Sequence, residues 1–252
     1  MIKTELQHDG QLLHVTLDTP PGNIIDHAMT QALRQAVREA SERPGVKALR
    51  FEGAGEHFCF GASVQEHAPD KVAGMLHRFH GLFRVLIEAA VPTMAVVKGR
   101  CLGGGMELAA WCSWVFASQN AVFGQPEVRL AVIPPIASVL FPWRLGGGAA
   151  LDLCVSGRTW AAAEARERGL VESVCADPRA ASDAFFAEHL APRSATALRF
   201  AERAARRGLE RALDVDLPAI ERLYLDDLMA THDAVEGITA FIEKRTPRFE
   251  NK

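Results

Sequence analysis

The chain lacks the features that would assign it to a special class. It has no excess of positive charge, since 28 Lys and Arg stand against 31 Asp and Glu for a formal net charge of −3. That balance gives no reason to expect a nucleic-acid partner, although a local basic patch can still meet an anionic ligand. Its five cysteines are an odd number, irregularly spaced and without a CxxC pair. A disulfide framework and a zinc site are therefore not expected, and reduced thiols fit the cytoplasm. The opening stretch "MIKTELQHDGQLLHVTL" has no apolar core of signal-peptide length, and no run is long enough to span a bilayer. Repeats and low-complexity linkers are also missing. These absences predict a soluble cytoplasmic protein with no membrane, nucleic-acid or metal partner.

What is there is an ordinary globular composition, 48% hydrophobic and 23% charged over 252 residues, enough for one sizeable core with an appendage. "LLHVTL" (12–17), "VKALRFEG" (46–53), "MAVVKG" (94–99), "WVFAS" (114–118) and "LVESVC" (170–175) read as strands. Between the first two, Asp26 caps a predicted helix with Met29, Leu33, Val37 and Ala40 on one face. A second helix follows Pro69-Asp70, with Val72, Leu76, Phe79, Phe83 and Leu86 at helical spacing. Strands and helices alternate to about residue 190, which predicts a layered α/β core over residues 1–190. Residues 191–252 read as a helical subdomain rich in Ala, Arg, Leu and Glu.

Three segments carry candidate chemistry. "CLGGGMELAAW" sets Gly103, Gly104 and Gly105 directly before a helix that bears Glu107. Glycines there let the backbone approach a ligand and expose N–H groups at the positive helix end. A phosphate loop would need Lys-Ser or Lys-Thr next, and Met106-Glu107 would instead repel a phosphate. An oxyanion hole beside an acid/base carboxylate fits better, while a plain packing turn explains the same residues. "FGQPEVRL" places Glu127 twenty residues after Glu107, close enough for both carboxylates to meet in one cleft or for Glu127 to sit in solvent. "FCFGASVQEH" holds Gly61-Ala62-Ser63, half of a serine-hydrolase elbow, but Gln65 stands where the last glycine belongs.

Together "FGASVQEH", "VKGRCLGGGMELAAWC" and "FGQPEVRLAVIP", with the later "VSGRTWAAAEARERGLVESV" and "HDAVEGITAFIEKR", resemble the crotonase (enoyl-CoA hydratase/isomerase) superfamily over nearly the whole chain. The resemblance implies that the open α/β reading gives way to a crotonase (ClpP-like) spiral of ββα units with a C-terminal helical trimerisation region. It implies self-association as a trimer or dimer of trimers, an acyl-CoA thioester as substrate, and no cofactor beyond the CoA that the substrate carries. By the same resemblance Ala62 and Gly104 supply the N–H groups that hold the thioester oxygen, and Glu107 and Glu127 handle the water and the proton. Gly22, Asn23, Ile24, Ser63, Val64 and Gly103 fall along the expected substrate and CoA path. Phe241 and Lys244 fall near its adenine end, with a neighbouring subunit as one source. Lys244 reads equally as an exposed helix lysine.

The departures narrow the expectation. Ser63 stands where many members carry Asp, and "PIASVLFPW" replaces a glycine-rich run, so that Pro135 offers no N–H to position a water. These features and the tail "LYLDDLMATHDAVEGITAFIEKR" resemble the branch that hydrates a cyclic dienoyl thioester. That resemblance implies 1,4-addition of water to cyclohexa-1,5-diene-1-carbonyl-CoA, giving 6-hydroxycyclohex-1-ene-1-carbonyl-CoA in benzoyl-CoA degradation. A generic linear enoyl-CoA hydratase is the alternative. A hydrolase or isomerase of this fold, or an RNA-binding module, would fit less well with two glutamates and a balanced charge.

Overall fold

A computed structural model describes residues 1–252. The strands in chain order are β1 (Ile2–Gln7), β2 (Leu12–Leu17), β3 (Ala48–Gly53), β4 (Thr93–Val97) and β5 (Arg100–Leu102), then β6 (Trp114–Ser118), β7 (Val122–Gly124), β8 (Thr159–Ala161) and β9 (Ser173–Cys175). They form two sheets, β1-β2-β3-β4-β6-β9 and β5-β7-β8. From β2 onward the larger sheet is parallel, and β3 and β4 are buried at every residue, as strands covered on both faces must be.

The helices are α1 (His27–Ser41), α2 (Val72–Ala89), α3 (Gly104–Trp111), α4 (Pro135–Leu145), α5 (Gly147–Ser156), α6 (Ala162–Glu167), α7 (Pro178–Phe185), α8 (Ala195–Arg222) and α9 (His232–Ile242). The Asp26 carboxylate accepts from Met29 N at 2.8 Å and starts α1, whose Met29, Leu33, Val37 and Ala40 are all buried. The predicted apolar face of α2 is buried in the same way. Ser194 and Thr231 cap α8 and α9 by the same device.

The connectivity explains how alternation becomes a coil. Each turn gives one strand to the large sheet, one to the small sheet, and then a helix: β4, β5, α3, then β6, β7, α4. Successive small-sheet strands β5 and β7 pair in parallel, so consecutive turns stack. The turn before them reaches the small sheet only through a single bridge, Cys59 to Cys101. This is the spiral of ββα units, not an open sheet. In "LVESVC" only Ser173–Cys175 is strand, because the N–H groups of Leu170 and Val171 close the end of α6 on Ala165 O.

One apolar core runs from Leu13 through α2, α3 and α4 to Leu209, Leu213, Leu217, Tyr224 and Ile238. The C-terminal helices thus share the core of the first 190 residues. No helix is long and apolar enough to cross a membrane.

Candidate active site

The site begins where the chain after β3 passes the loop before α1. Ile25 N donates to Gly61 O and Ser63 N donates to Ile25 O, which fixes Ala62 in an extended conformation between them. Asn23 stabilises this crossing from below. It is fully buried, accepts from Thr19 N and donates to the carbonyls of Ala54, His57 and Phe58. Both amide hydrogens of its side chain are thus spent on the loop beneath it. Gly22 is buried as well and accepts from Phe60 N, leaving Ile24 as the exposed member of the three.

The glycines that precede α3 have two separate causes. Gly103 has φ 51°, and a Cβ there would lie 2.7 Å from Glu127 Oε1. A Cβ on Gly104 would lie 3.2 Å from Ala62 N, so the absence of a side chain lets the two backbones approach closely. Gly104 is the first residue of α3, and neither its N–H nor that of Ala62 donates to any protein acceptor. Two free N–H groups at a helix N-terminus form a hole for an oxyanion.

One turn on, α3 delivers Glu107, 4% exposed, whose Oε1 accepts from Ala137 N at 2.7 Å. That bond refines the expectation drawn from Pro135. Pro135 has no N–H, yet it starts α4, and the free N–H groups of that helix end include Ala137's, which reaches the site through Glu107. Glu127 opens the 3-10 turn after β7, and Gln125 Nε2 donates to its Oε1 at 3.1 Å. Its Oε2 is buried without a partner.

Burial pushes both carboxyls above the usual carboxylate range. For Glu107 the charge of Glu127 adds to that effect and the Ala137 N–H opposes it. For Glu127 its own N–H and Gln125 oppose it. Two carboxyls both raised toward neutrality, one of them by the charge of the other, suit a division into one acid and one base. Ser63 Oγ donates to Gln65 Oε1 at 3.1 Å and no imidazole contacts that hydroxyl, so the hydrolase elbow is unformed. Val64 begins the one-turn helix that follows Ser63. Phe241 is half exposed at the end of α9, which packs against the turns after both Ser63 and Pro126, and Lys244 lies just beyond it on the surface.

Sequence reasoning missed Gln125, Ala137, Cys154 and Tyr224. Gln125 is fully buried beside the expected Glu127, which its place two residues upstream in "FGQPEVRL" allows to be read. Burial, with smaller contributions from the charges of Glu107 and Glu127, pushes the Cys154 thiol up to about 12. Cys154 also lines an apolar cavity of about 400 Å³ with Ile133, Pro134, Ala150, Ile220 and Leu223.

Comparison with known proteins accords with this geometry. Residues 7–252 match the enoyl-CoA hydratase/isomerase family. A protein of Thauera aromatica named cyclohexa-1,5-dienecarbonyl-CoA hydratase is 47% identical over 251 residues, covering 100% of this chain and 97% of the relative. A probable enoyl-CoA hydratase of Rhizobium meliloti is 35% identical over 251 residues, covering 98% of this chain and 97% of the relative. The crystal structure of an enoyl-CoA hydratase from Mycobacterium avium subsp. paratuberculosis superposes with a TM-score of 0.86 at 27% identity, covering 99% of this chain and 98% of that one. On the family match and these relatives, the chain belongs to the enoyl-CoA hydratase/isomerase family.

Proposed function

We propose that this protein is a hydro-lyase that adds water to cyclohexa-1,5-diene-1-carbonyl-CoA by 1,4-addition, yielding 6-hydroxycyclohex-1-ene-1-carbonyl-CoA. The observation that carries the hydratase reading is the buried pair Glu107 and Glu127 beside the free N–H groups of Ala62 and Gly104. The N–H groups draw electrons through the thioester carbonyl, which makes the ring β-carbon electrophilic. Water attacks there while one glutamate takes its proton. The charge spreads through the second double bond, and the other carboxyl protonates the far, γ-carbon of that system. One water is consumed and the acid/base pair ends with its proton exchanged between members.

The cyclic diene is favoured over a linear enoyl group by the 47% identity to the Thauera aromatica hydratase. The helix that begins at Pro135, whose Ala137 N–H donates to Glu107, is in keeping with the same reading. The apolar cavity beside that helix is within the size range of small-ligand pockets. All reacting electrons belong to the substrate, so water addition needs no redox cofactor, and CoA enters as part of the thioester. We further propose a trimer or dimer of trimers working in the cytoplasm.

The test is a screen of cyclic dienoyl, cyclic monoenoyl and crotonyl thioesters of CoA for water addition. Strong preference for the cyclic diene is expected, with deuterium from D₂O on ring C3 of the product. Faster turnover of crotonyl-CoA, or label at the α-carbon, would assign the linear reaction instead.

A further inference from the structure

We propose that Tyr224 is a third functional side chain of this site, its hydroxyl and Glu127 Oε2 together holding the water that attacks the β-carbon. The proposal rests on the hydratase reading above and adds a residue to it.

Tyr224 is fully buried, and its hydroxyl has no hydrogen-bond partner in the protein. Glu127 Oε2 is buried and unpartnered as well. Buried polar groups left without partners are uncommon, and two near one reaction centre point to a shared guest. The segment around Tyr224 is in the right place. Leu223, next to it, lines the apolar cavity with Ile133 and Pro134, while Leu228 borders a second cleft with Val128 and Ile133. Residues on both sides of Tyr224 therefore share cavity walls with the stretch 128–134 that follows Glu127. Burial, and then the charge of Glu127, push the Tyr224 phenol upward, which keeps it a neutral donor at every working pH.

Such a water accepts from the phenol and donates to Glu127 Oε2, leaving a lone pair for carbon. As the C–O bond forms, the proton passes to Glu127 and the π electrons move to the thioester oxygen. Gln125 holds the other carboxylate oxygen meanwhile. The titratable groups that face Glu127 are Glu107 from α3, Cys154 from α5 and Tyr224 itself.

Tyr224→Phe removes only the hydroxyl and keeps the ring in the core. Turnover on the thioester that the wild type hydrates is expected to fall about tenfold or more with KM unchanged, as loss of one hydrogen bond to the reacting water requires. Thermal stability should change little, because no protein–protein hydrogen bond is lost. Independently of activity, the Glu127 carboxyl titration, assigned by infrared difference against Glu127→Gln, should move upward in Tyr224→Phe, since the water that stabilises the carboxylate is less well held. An unmoved Glu127 titration overturns the proposal even if the wild type hydrates none of the thioesters, and unchanged turnover in an active enzyme overturns it too. A wild type that hydrates none of them, with the titration moved as expected, would sink the hydratase reading and leave the placement of Tyr224 standing.

Discussion

Two of the buried groups of charge in this molecule are treated in opposite ways. In the large sheet, Arg50 on β3 is fully buried and donates to His14 Nδ1 at 3.0 Å, to Ser182 Oγ at 3.0 Å and to Asp183 Oδ1 at 2.5 Å. Beside it Glu52 takes Arg179 Nε at 2.8 Å and Lys98 Nζ at 2.9 Å. Burial alone would raise the Glu52 carboxyl, but the bonds from Lys98 and Arg179 outweigh it and hold it below the ordinary range. None of these side chains has a buried unpartnered atom. At the site, by contrast, neither Glu107 nor Glu127 pairs with a cation, the charge of Glu127 raises Glu107, and Glu127 Oε2, Gln125 Oε1 and Tyr224 Oη find no partner. A satisfied network fixes α7 on the sheet, whereas an unsatisfied one keeps polar capacity for a substrate.

The largest effects should separate the two regions cleanly. Glu127→Gln is expected to lower turnover ~10²–10⁴-fold while thioester binding, followed by calorimetry, persists. Near-normal turnover would remove the acid/base assignment. Arg50→Met strips the sheet network of its centre and leaves Asp183 and its neighbours short of a donor. Urea unfolding should show a loss of ~3–5 kcal/mol, with the folded fraction as active as wild type. A variant that lost activity but not stability would reverse the roles given to the two clusters. Gly104→Pro should come next, at ~10²–10³-fold in turnover, since it deletes one oxyanion donor; thermal melting checks that the added Cβ, 3.0 Å from Phe79 and 3.2 Å from Ala62 N, leaves the fold intact.

The contrast also explains what the sequence could and could not tell. Glu107, Glu127 and the glycines were readable because their spacing is local, and Asp26 with the apolar faces of α1 and α2 followed from helical period. Membership of a spiral was readable only through the assembled motifs, since strand alternation by itself predicts an open sheet. The short β5, β7 and β8 were invisible, because three residues carry no period and are strands only through their pairing. Tyr224 was equally hidden. It lies 97 positions after Glu127 in a helical stretch, and its neighbours Leu223 and Leu228 meet the stretch after Glu127 only as shared cavity walls in the folded chain. Asn23 adds what the sequence did not show, a side chain whose amide holds the loop beneath it.

The smallest expected effect concerns pH, where the two regions should respond with opposite sign. His14 is held down to about 4 by burial first and then by the charges of Arg50 and Arg179. The unfolded chain thus binds a proton that the folded chain refuses, and the sheet loses stability as pH falls below about 6.5. Glu107 is raised, by burial first and then by Glu127, so the folded chain keeps a proton that the unfolded chain releases. Its contribution is fully present at or below about pH 4.3 and is lost as pH rises from there through the raised value. Glu107→Gln removes this titration while its amide oxygen still accepts from Ala137 N. The difference in unfolding free energy between variant and wild type should therefore drift in favour of the variant by on the order of 1–2 kcal/mol between pH 5 and 8. Urea titrations at those two pH values measure it. A drift of the opposite sign would mean that Glu107 is ionised at the lower pH and paired by a cation, and the site would then follow the rule of the sheet.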